Sequence, residues 1–163
     1  MPINFNADIG EGFSNEQLLM PHLDACNIAC GAHAGDVFQM EQCVKLAVEQ
    51  GVNIGAHPSF EDRENFGRIA LPISPLAIFE SVKVQTLLLQ EIVSDYGSTI
   101  THVKPHGALY HQACSDKKTA ESIIEATKLL GKSTSVVGLP HSIFQQAATD
   151  SNCTFIKEGF ADR

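Results

Sequence analysis

Short apolar segments alternate with amphipathic helical segments along the whole chain, and this alternation limits the possible folds more than any other feature. Strands are predicted over residues 3–7, 26–29, 52–56, 100–103, 134–137 and 154–157. Helices are predicted after Asp36, from Ser74-Pro75, after Asp116 and over residues 142–149. Strands that alternate with helices normally pair in parallel through right-handed crossovers. The sequence therefore predicts an α/β fold with a parallel sheet.

The choice between α/β architectures depends on the residues directly after the first strand. No GxGxxG motif is found there, so a barrel of the TIM type fits better than a dinucleotide-binding sheet. Six strands are too few to close an eight-stranded barrel. The printed chain ends at Arg163, soon after the last predicted strand, so we expect a smaller barrel or a barrel lacking its C-terminal part. The length of 163 residues favours a single domain over residues 1–163.

Charge and composition exclude several function classes. The chain has 11 basic and 19 acidic residues, a net charge of −8, and no basic cluster, which argues against binding a nucleic-acid backbone. No signal peptide is visible, and no stretch approaches the roughly 18 apolar residues of a membrane span. Five cysteines without a CxxC pair indicate reduced, mostly buried thiols. We therefore expect a cytoplasmic protein.

Side chains with acid–base or metal-binding chemistry lie at the carboxyl ends of the predicted strands. They are Asp8 and Glu11 after the first strand, His33 and Asp36 after the second, His57 after the third, Lys104 and His106 after the fourth, and Glu158, Asp162 and Arg163 after the last. In parallel α/β folds these ends meet at one face, where the active sites lie. The sequence therefore predicts a catalytic mouth.

A metal site is the alternative interpretation of the same residues. His33, His57 and Asp8 would form a two-histidine, one-carboxylate set for metal-assisted hydrolysis. No HxxxH or HExxH spacing supports it, so the ligands would come from separate loops. The other histidines, at positions 22, 102, 111 and 141, are interpreted as structural or solvated.

One phosphate-binding motif is rejected. Residues 126–133 (ATKLLGKS) fit a relaxed P-loop pattern, but a P-loop follows a strand and opens a helix. Here the pattern lies at the end of a predicted helix and precedes a strand. A helix C-terminus with basic residues and a terminating glycine is the better interpretation.

Five sequence blocks resemble the signature of a known family. They are residues 6–12 (NADIGEG), 27–36 (NIACGAHAGD), 55–59 (GAHPS), 66–68 (FGR) and 102–110 (HVKPHGALY), and the similarity runs to residues 160–163 (FADR). In this order they resemble the LamB/YcsF family, the family of the 5-oxoprolinase component that works with subunits B and C. Ala32 and Phe60 depart from the usual residues of the family, and family members continue well past the FADR block.

The resemblance implies an ATP-dependent amidohydrolase that opens 5-oxoproline (pyroglutamate) to L-glutamate in a complex with subunits B and C. It also implies a parallel β/α barrel of the seven-stranded glycoside hydrolase/deacetylase type, here truncated at the C-terminus. The candidate catalytic residues are Asp8, Glu11, His33, His57, Lys104 and His106. The candidate substrate- or phosphate-binding residues are Asn6, Asp36, Arg68, Tyr110, Glu158 and Asp162.

The chemistry suggests a role for each group. A lactam is a poor electrophile, and phosphorylation of its amide oxygen by ATP would create a good leaving group. Lys104 and Arg68 are expected to contact anions, the three histidines to transfer protons, and Asp8 and Glu11 to hold Mg²⁺ or another divalent metal, or to orient water. We expect replacement of Lys104 by alanine to reduce turnover and leave the fold intact.

Two other function classes stay open at this point. One is a metal-dependent deacetylase or amidase that acts without ATP, and the other is a non-catalytic subunit that binds a small acid. We also expect a chain that ends after its sixth strand to self-associate, because an unpaired edge strand is a pairing hazard.

Overall fold

A single six-stranded parallel sheet lies at the centre of the computed structural model, which describes residues 4–160. Each strand pairs with the next one in the chain, so the spatial order is the sequence order. The strands are β1 (Asn6–Ile9), β2 (Ala25–Ala29), β3 (Asn53–His57), β4 (Ile100–Val103), β5 (Ser135–Gly138) and β6 (Phe155–Lys157). The predicted parallel α/β fold is confirmed, although Asp8 and His57 lie within the strands they were predicted to follow.

Helices cover the outer face of the sheet. They are α1 (Glu16–Leu19), which runs into a 3-10 turn over Met20–His22, then α2 (Val37–Gln50), α3 (Pro75–Asp95), α4 (Gly107–Ser115), α5 (Lys117–Lys128) and α6 (Ile143–Asp150). The sequence did not predict α1 or α4. Helix α4 has no side-chain cap at its start, so its first turn carries no local signal. Within residues 4–160, no helix is long and apolar enough to cross a membrane.

The predicted helix caps are present. The side chain of Asp36 accepts a hydrogen bond from the Gln39 amide at the start of α2, and Ser74 and Asp116 make the same type of bond at α3 and α5. Gly51 ends α2 with a left-handed φ of 69°. Because caps satisfy amides that have no partner within the helix, these side chains define where each helix begins.

The buried face of α2 differs from the predicted apolar stripe. Val37 and Val48 are 53% and 39% exposed, whereas Cys43 is buried together with Met40 and Val44. Including Cys43 rotates the centre of the buried face away from Val48, since successive helical residues are about 100° apart. Val37 lies in the exposed first turn. The prediction was wrong at these two valines.

The rejection of the P-loop is confirmed. Helix α5 ends at Lys128, and residues 131–133 form a turn that leads into β5. A strand, not a helix, follows this turn, so the segment lacks the helix N-terminus with which a P-loop binds phosphate.

The sheet curls strongly. In a flat sheet β1 and β6 would lie about 24 Å apart, five strand spacings of roughly 4.8 Å. Yet the Nζ atom of Lys104, directly after β4, is 3.1 Å from Oδ1 of Asp8 in β1 and 3.2 Å from Oε2 of Glu158 after β6. A single ammonium reaches both carboxylates only if the two edges approach each other. The architecture is thus an open, barrel-like sheet, and the seven-strand count stays a prediction.

The inside of the curled sheet is polar. The side-chain amide of Asn27 donates to Oδ1 of Asn6 (2.7 Å) and to Oδ1 of Asp8 (2.8 Å), and its oxygen accepts from Nε2 of His102 (2.7 Å). A Cβ atom on Gly55 would overlap the His102 ring, so the glycine makes room for it. Burial lowers the pKa of His102 to about 4. His102 is therefore a neutral structural group, in agreement with its sequence interpretation.

Replacing Gly35 by alanine tests the contact between the first two strand-end loops. Gly35 has a φ of +76°, and a Cβ atom there would lie 2.8 Å from the carbonyl oxygen of Gly10. We expect Gly35→Ala to lower the free energy of unfolding by about 2–4 kcal/mol, from backbone strain and the clash together. Urea denaturation measures this. The control is Gly51→Ala, at φ +69° with open space around it, which should cost about 1–2 kcal/mol. Equal losses would contradict the contact.

Candidate active site

A cavity of about 570 Å³ opens at the carboxyl ends of the strands. Its position is set by β1, β3 and β4, whose last residues and following loops point into it. The lining residues are Asp8, Glu11, His57, Phe66, Arg68, Lys104, Pro105, His106, Gly107, Ala108, Tyr110, His111 and Phe160. The structure therefore brings together residues from four different segments of the chain.

Backbone carbonyls fix the orientation of two histidines in the cavity wall. Nδ1 of His57 is 2.7 Å from the carbonyl oxygen of Lys104, and Nε2 of His106 is 2.8 Å from the carbonyl oxygen of Phe66. A carbonyl oxygen only accepts, so each of these nitrogens carries the proton. Nε2 of His57 and Nδ1 of His106 then lie 3.1 Å apart, and one can donate to the other when its ring carries a second proton.

Glu11 brings a carboxylate to the same point. Its Oε1 atom is 2.9 Å from Nε2 of His33, 3.3 Å from Nδ1 of His106 and 3.6 Å from Nε2 of His57. Burial opposes ionisation of Glu11, but hydrogen bonds to His106 and His33 prevail and lower its pKa to about 2. Burial lowers the pKa of His33, against the opposing effect of Glu11. At neutral pH Glu11 is an anion beside a neutral His33.

The loop over residues 59–73 packs its backbone directly on these rings. Phe66 has a φ of 55°, and a Cβ atom on Gly67 would overlap Oγ of Ser59 and lie 3.0 Å from His33 and from His106. The Phe66 ring stands edge-on to both histidines, with centroids 5.2 Å away. The rings of His33 and His106 stack at 3.8 Å. Close packing thus holds the histidines in place.

Lys104 is buried between two carboxylates, so its side chain makes contacts within the protein that a replacement would remove. Its side chain contacts Asp8 and Glu158, and its Nζ atom lies 5.6 Å from the Phe160 ring centroid. Burial by itself opposes ionisation of Asp8. The charge and hydrogen bond of His57, with Lys104 and Asn27, nevertheless hold its pKa well below the ordinary value. The ammonium charge of Lys104 is therefore committed within the protein.

Four side chains form a group that could hold a metal ion. One ligand atom from each of Glu11, His33, His57 and His106 lies within 4.8 Å of all the others. The group shares His33 and His57 with the predicted metal set, but Glu11 and His106 take the place of Asp8. Asp8 remains close, with Oδ2 at 3.4 Å from Nε2 of His57.

Comparison with known proteins identifies the family. The family model described as the LamB/YcsF family matches residues 3–163. The chain belongs to the LamB/YcsF family. A crystal structure of a lactam utilization protein from Thermus thermophilus is 34% identical, covers 100% of this chain and 68% of its own, and superposes with a TM-score of 0.96. A 3-keto-D-glucoside 4-epimerase from E. coli matches at 13% identity and a TM-score of 0.39, over 94% of this chain and 77% of its own.

The LamB/YcsF signature blocks supply most of the cavity wall. Blocks 6–12, 55–59, 66–68 and 102–110 line the cavity, and block 27–36 supplies His33, which is 2% exposed and lies behind Glu11. Phe160 adds a ring from outside these five blocks. The pattern of residue types could reveal the side chains, but nothing in it signals that the carbonyls of Phe66 and Lys104 orient the histidines.

The predicted binding residues are divided among several places. Arg68 and Tyr110 line the cavity, and burial, followed by the neighbouring Glu158 carboxylate, raises the pKa of the Tyr110 hydroxyl. Asn6 lies on the polar inside of the sheet. Asp36 caps α2 outside this cavity. Asp162 lies outside the described residues.

Replacing Lys104 by methionine should destabilise the fold and not only reduce turnover. Removing a buried ammonium leaves Asp8 and Glu158 without their counter-charge, which typically costs about 3–5 kcal/mol. Urea denaturation measures the free energy of unfolding. The control is Lys157→Met, at an exposed lysine two strands away, where we expect a change within about 0.5 kcal/mol. A Lys104→Met protein as stable as wild type would show that the ion pairs contribute nothing.

Replacing Asp8 by asparagine should make stability less dependent on acid pH. The pKa of Asp8 is depressed in the folded state, so its contribution is complete above the unfolded value of about 4 and is lost as the pH falls below that value. We expect Asp8→Asn to lose about 1–2 kcal/mol at neutral pH, the net strength of a charge-assisted hydrogen bond. Urea denaturation between about pH 7 and pH 3 should show the gap to wild type closing in acid. A constant gap would contradict the pairing.

Proposed function

We propose that this LamB/YcsF protein functions in lactam hydrolysis as the substrate-binding and ring-opening subunit of an ATP-dependent 5-oxoprolinase. Family membership and the 34% identity to a protein named for lactam utilization support this role. The proposed reaction opens 5-oxoproline to L-glutamate as ATP is hydrolysed to ADP and phosphate. The proposed partners are 5-oxoprolinase subunits B and C.

The observation that carries the proposal is a cation without an ion pair beside two imidazole groups in the cavity wall. Arg68 is exposed, lies over the Phe66 ring at 5.4 Å, and has no ion pair among residues 4–160. Lys104 already serves two carboxylates. Since 5-oxoproline carries one carboxylate, Arg68 is the group in the cavity wall that we assign to bind it. A cavity of about 570 Å³ exceeds the volume of so small a ring.

Ring opening needs a nucleophile and a proton for the leaving nitrogen. Water attacks the lactam carbonyl carbon, the C–N bond breaks, and the nitrogen leaves as an amine after it receives a proton. His57 and His106 present lone pairs at the cavity wall and can accept the proton of water and return it to nitrogen. Transfer of the γ-phosphoryl group from ATP to the amide oxygen would beforehand make this carbon more electrophilic. After the C–N bond breaks, a second water molecule would release phosphate from the resulting acyl phosphate.

A glutamate-release assay tests the proposed function. The chain is combined with subunits B and C and given 5-oxoproline, with ATP present or omitted. We expect glutamate and ADP in equal amounts, and none when ATP is omitted. Glutamate formed without ATP would show that the enzyme is an ATP-independent amidase. Tight binding of 5-oxoproline without turnover in the full assembly would support a binding role and overturn the catalytic one.

Replacing Arg68 by methionine tests the assigned carboxylate contact. Loss of one charge-assisted hydrogen bond should raise the KM for 5-oxoproline by about tenfold to a hundredfold. Because Arg68 is exposed, the melting temperature should change little. The control is Lys45→Met, an exposed cation on α2 that is absent from the cavity wall. An unchanged KM in Arg68→Met would remove this residue from the substrate site.

A further inference from the structure

The cluster of Glu11, His33, His57 and His106 has the composition of a metal site. We propose that these four side chains bind one divalent transition-metal ion of the zinc class at the base of the cavity. The proposal goes beyond the lactam reaction and stands on the geometry of the cluster alone.

The first argument is a shortage of protons at the centre of the cluster. The outward nitrogens of His57 and His106 donate to the carbonyls of Lys104 and Phe66, so each inward nitrogen can donate to a neighbouring acceptor only when its ring carries a second proton. Around Nε2 of His57 lie Nδ1 of His106 at 3.1 Å, Oδ2 of Asp8 at 3.4 Å and Oε1 of Glu11 at 3.6 Å. At such distances these atoms need either added protons on the histidines or a metal ion between them. A metal ion meets this need for all of them at once.

The second argument is distance. Zinc bonds of about 2.0–2.1 Å in a tetrahedron place the ligand atoms about 3.3–3.4 Å apart. Four of the six separations are 2.9 Å for His33 and Glu11, 3.1 Å for His57 and His106, 3.3 Å for His106 and Glu11, and 3.6 Å for His57 and Glu11, and the two from His33 to the other histidines lie within 4.8 Å. The four values scatter around the tetrahedral edge.

The third argument is the support behind the ligands. Histidines that bind metals normally donate their second N–H to a carbonyl or carboxylate, which fixes the tautomer that presents a lone pair to the ion. His57 and His106 have this arrangement with two main-chain carbonyls. The buried Nδ1 atom of His33 has no hydrogen-bond partner within residues 4–160, so its ring is held by packing and by Glu11.

The donor types identify the class of ion. Three imidazoles and one carboxylate suit zinc and related transition metals, whereas Mg²⁺ prefers oxygen ligands and retains several waters. Asp8 is engaged by Lys104 and Asn27 and stays outside the set. With an ion bound, the inward nitrogens of His57 and His106 would be ligands and no longer proton acceptors, and the ion would instead acidify a water molecule facing the cavity.

Metal analysis of the untagged chain tests the site without any assay of activity. Protein stripped with a chelator is dialysed against Zn²⁺ or Co²⁺, and metal content is measured by mass spectrometry. We expect one ion per chain, an intense visible Co²⁺ spectrum of low coordination number, and a higher melting temperature with Zn²⁺. If the protein still contains no metal after this treatment, the proposal is wrong. The positive charge in the cluster would then be a proton shared by His57 and His106.

Variants distinguish the cluster from adventitious surface sites. Glu11→Gln and His106→Gln should each weaken Zn²⁺ binding by more than about a hundredfold, beyond the range seen for residues that only support ligands. The control His22→Asn removes an exposed histidine and should bind like wild type. Circular dichroism of the metal-free proteins checks that each variant folds. If His106→Gln does not fold, Glu11→Gln, which keeps the shape of the side chain, still tests the site. Equal binding by wild type and a folded Glu11→Gln would overturn the site.

The metal test and the function test can fail separately. Bound zinc without glutamate release would preserve the site and overturn only the proposed reaction. Glutamate release by protein that binds no metal would support the proposed reaction and overturn the metal site.

Discussion

The ammonium group of Lys104, held between Asp8 and Glu158, is the interaction on which the mouth of the sheet depends. It joins the carboxyl ends of β1, β4 and β6, which a flat sheet would keep far apart. A buried ammonium with two carboxylate partners is stable only when all three groups stay together. Asp8 in turn is tied to Asn27 and lies against His57. The polar inside of the sheet and the face at the carboxyl ends of its strands are therefore one connected system.

Charge balance is the second constraint at this face. Asp8, Glu11 and Glu158 bring three carboxylates to this face, and the ammonium of Lys104 pairs with two of them, Asp8 and Glu158. The histidines are oriented so that their lone pairs add to this excess of acceptors. Such a site has a strong demand for positive charge, whether it comes from a proton, a metal ion or the guanidinium of Arg68 at its rim.

Much of the fold could be predicted because its determinants are local. Strand hydrophobicity, the caps at Asp36, Ser74 and Asp116, and the stop at Gly51 act within a few residues, so the sequence alone locates them. The meeting of strand ends followed from parallel topology. Helix α4 lacks such a local signal, and the burial of Lys104 depends on β6, more than fifty residues away in the chain. The cluster of Glu11, His33, His57 and His106 shares only two histidines with the predicted metal set, because the positions of Glu11 and His106 are decided by tertiary packing.

The carbonyls that orient His57 and His106 have a consequence for how this protein would respond to mutational scanning. Both acceptors belong to the main chain of Lys104 and Phe66, and no side-chain substitution at those positions deletes them. A scan of single replacements would measure the effect of losing the charge of Lys104 or the ring of Phe66. It would not detect the contribution of the two carbonyl groups. The backbone conformation therefore determines which tautomer each histidine adopts. Only changes that move the peptide planes could alter it.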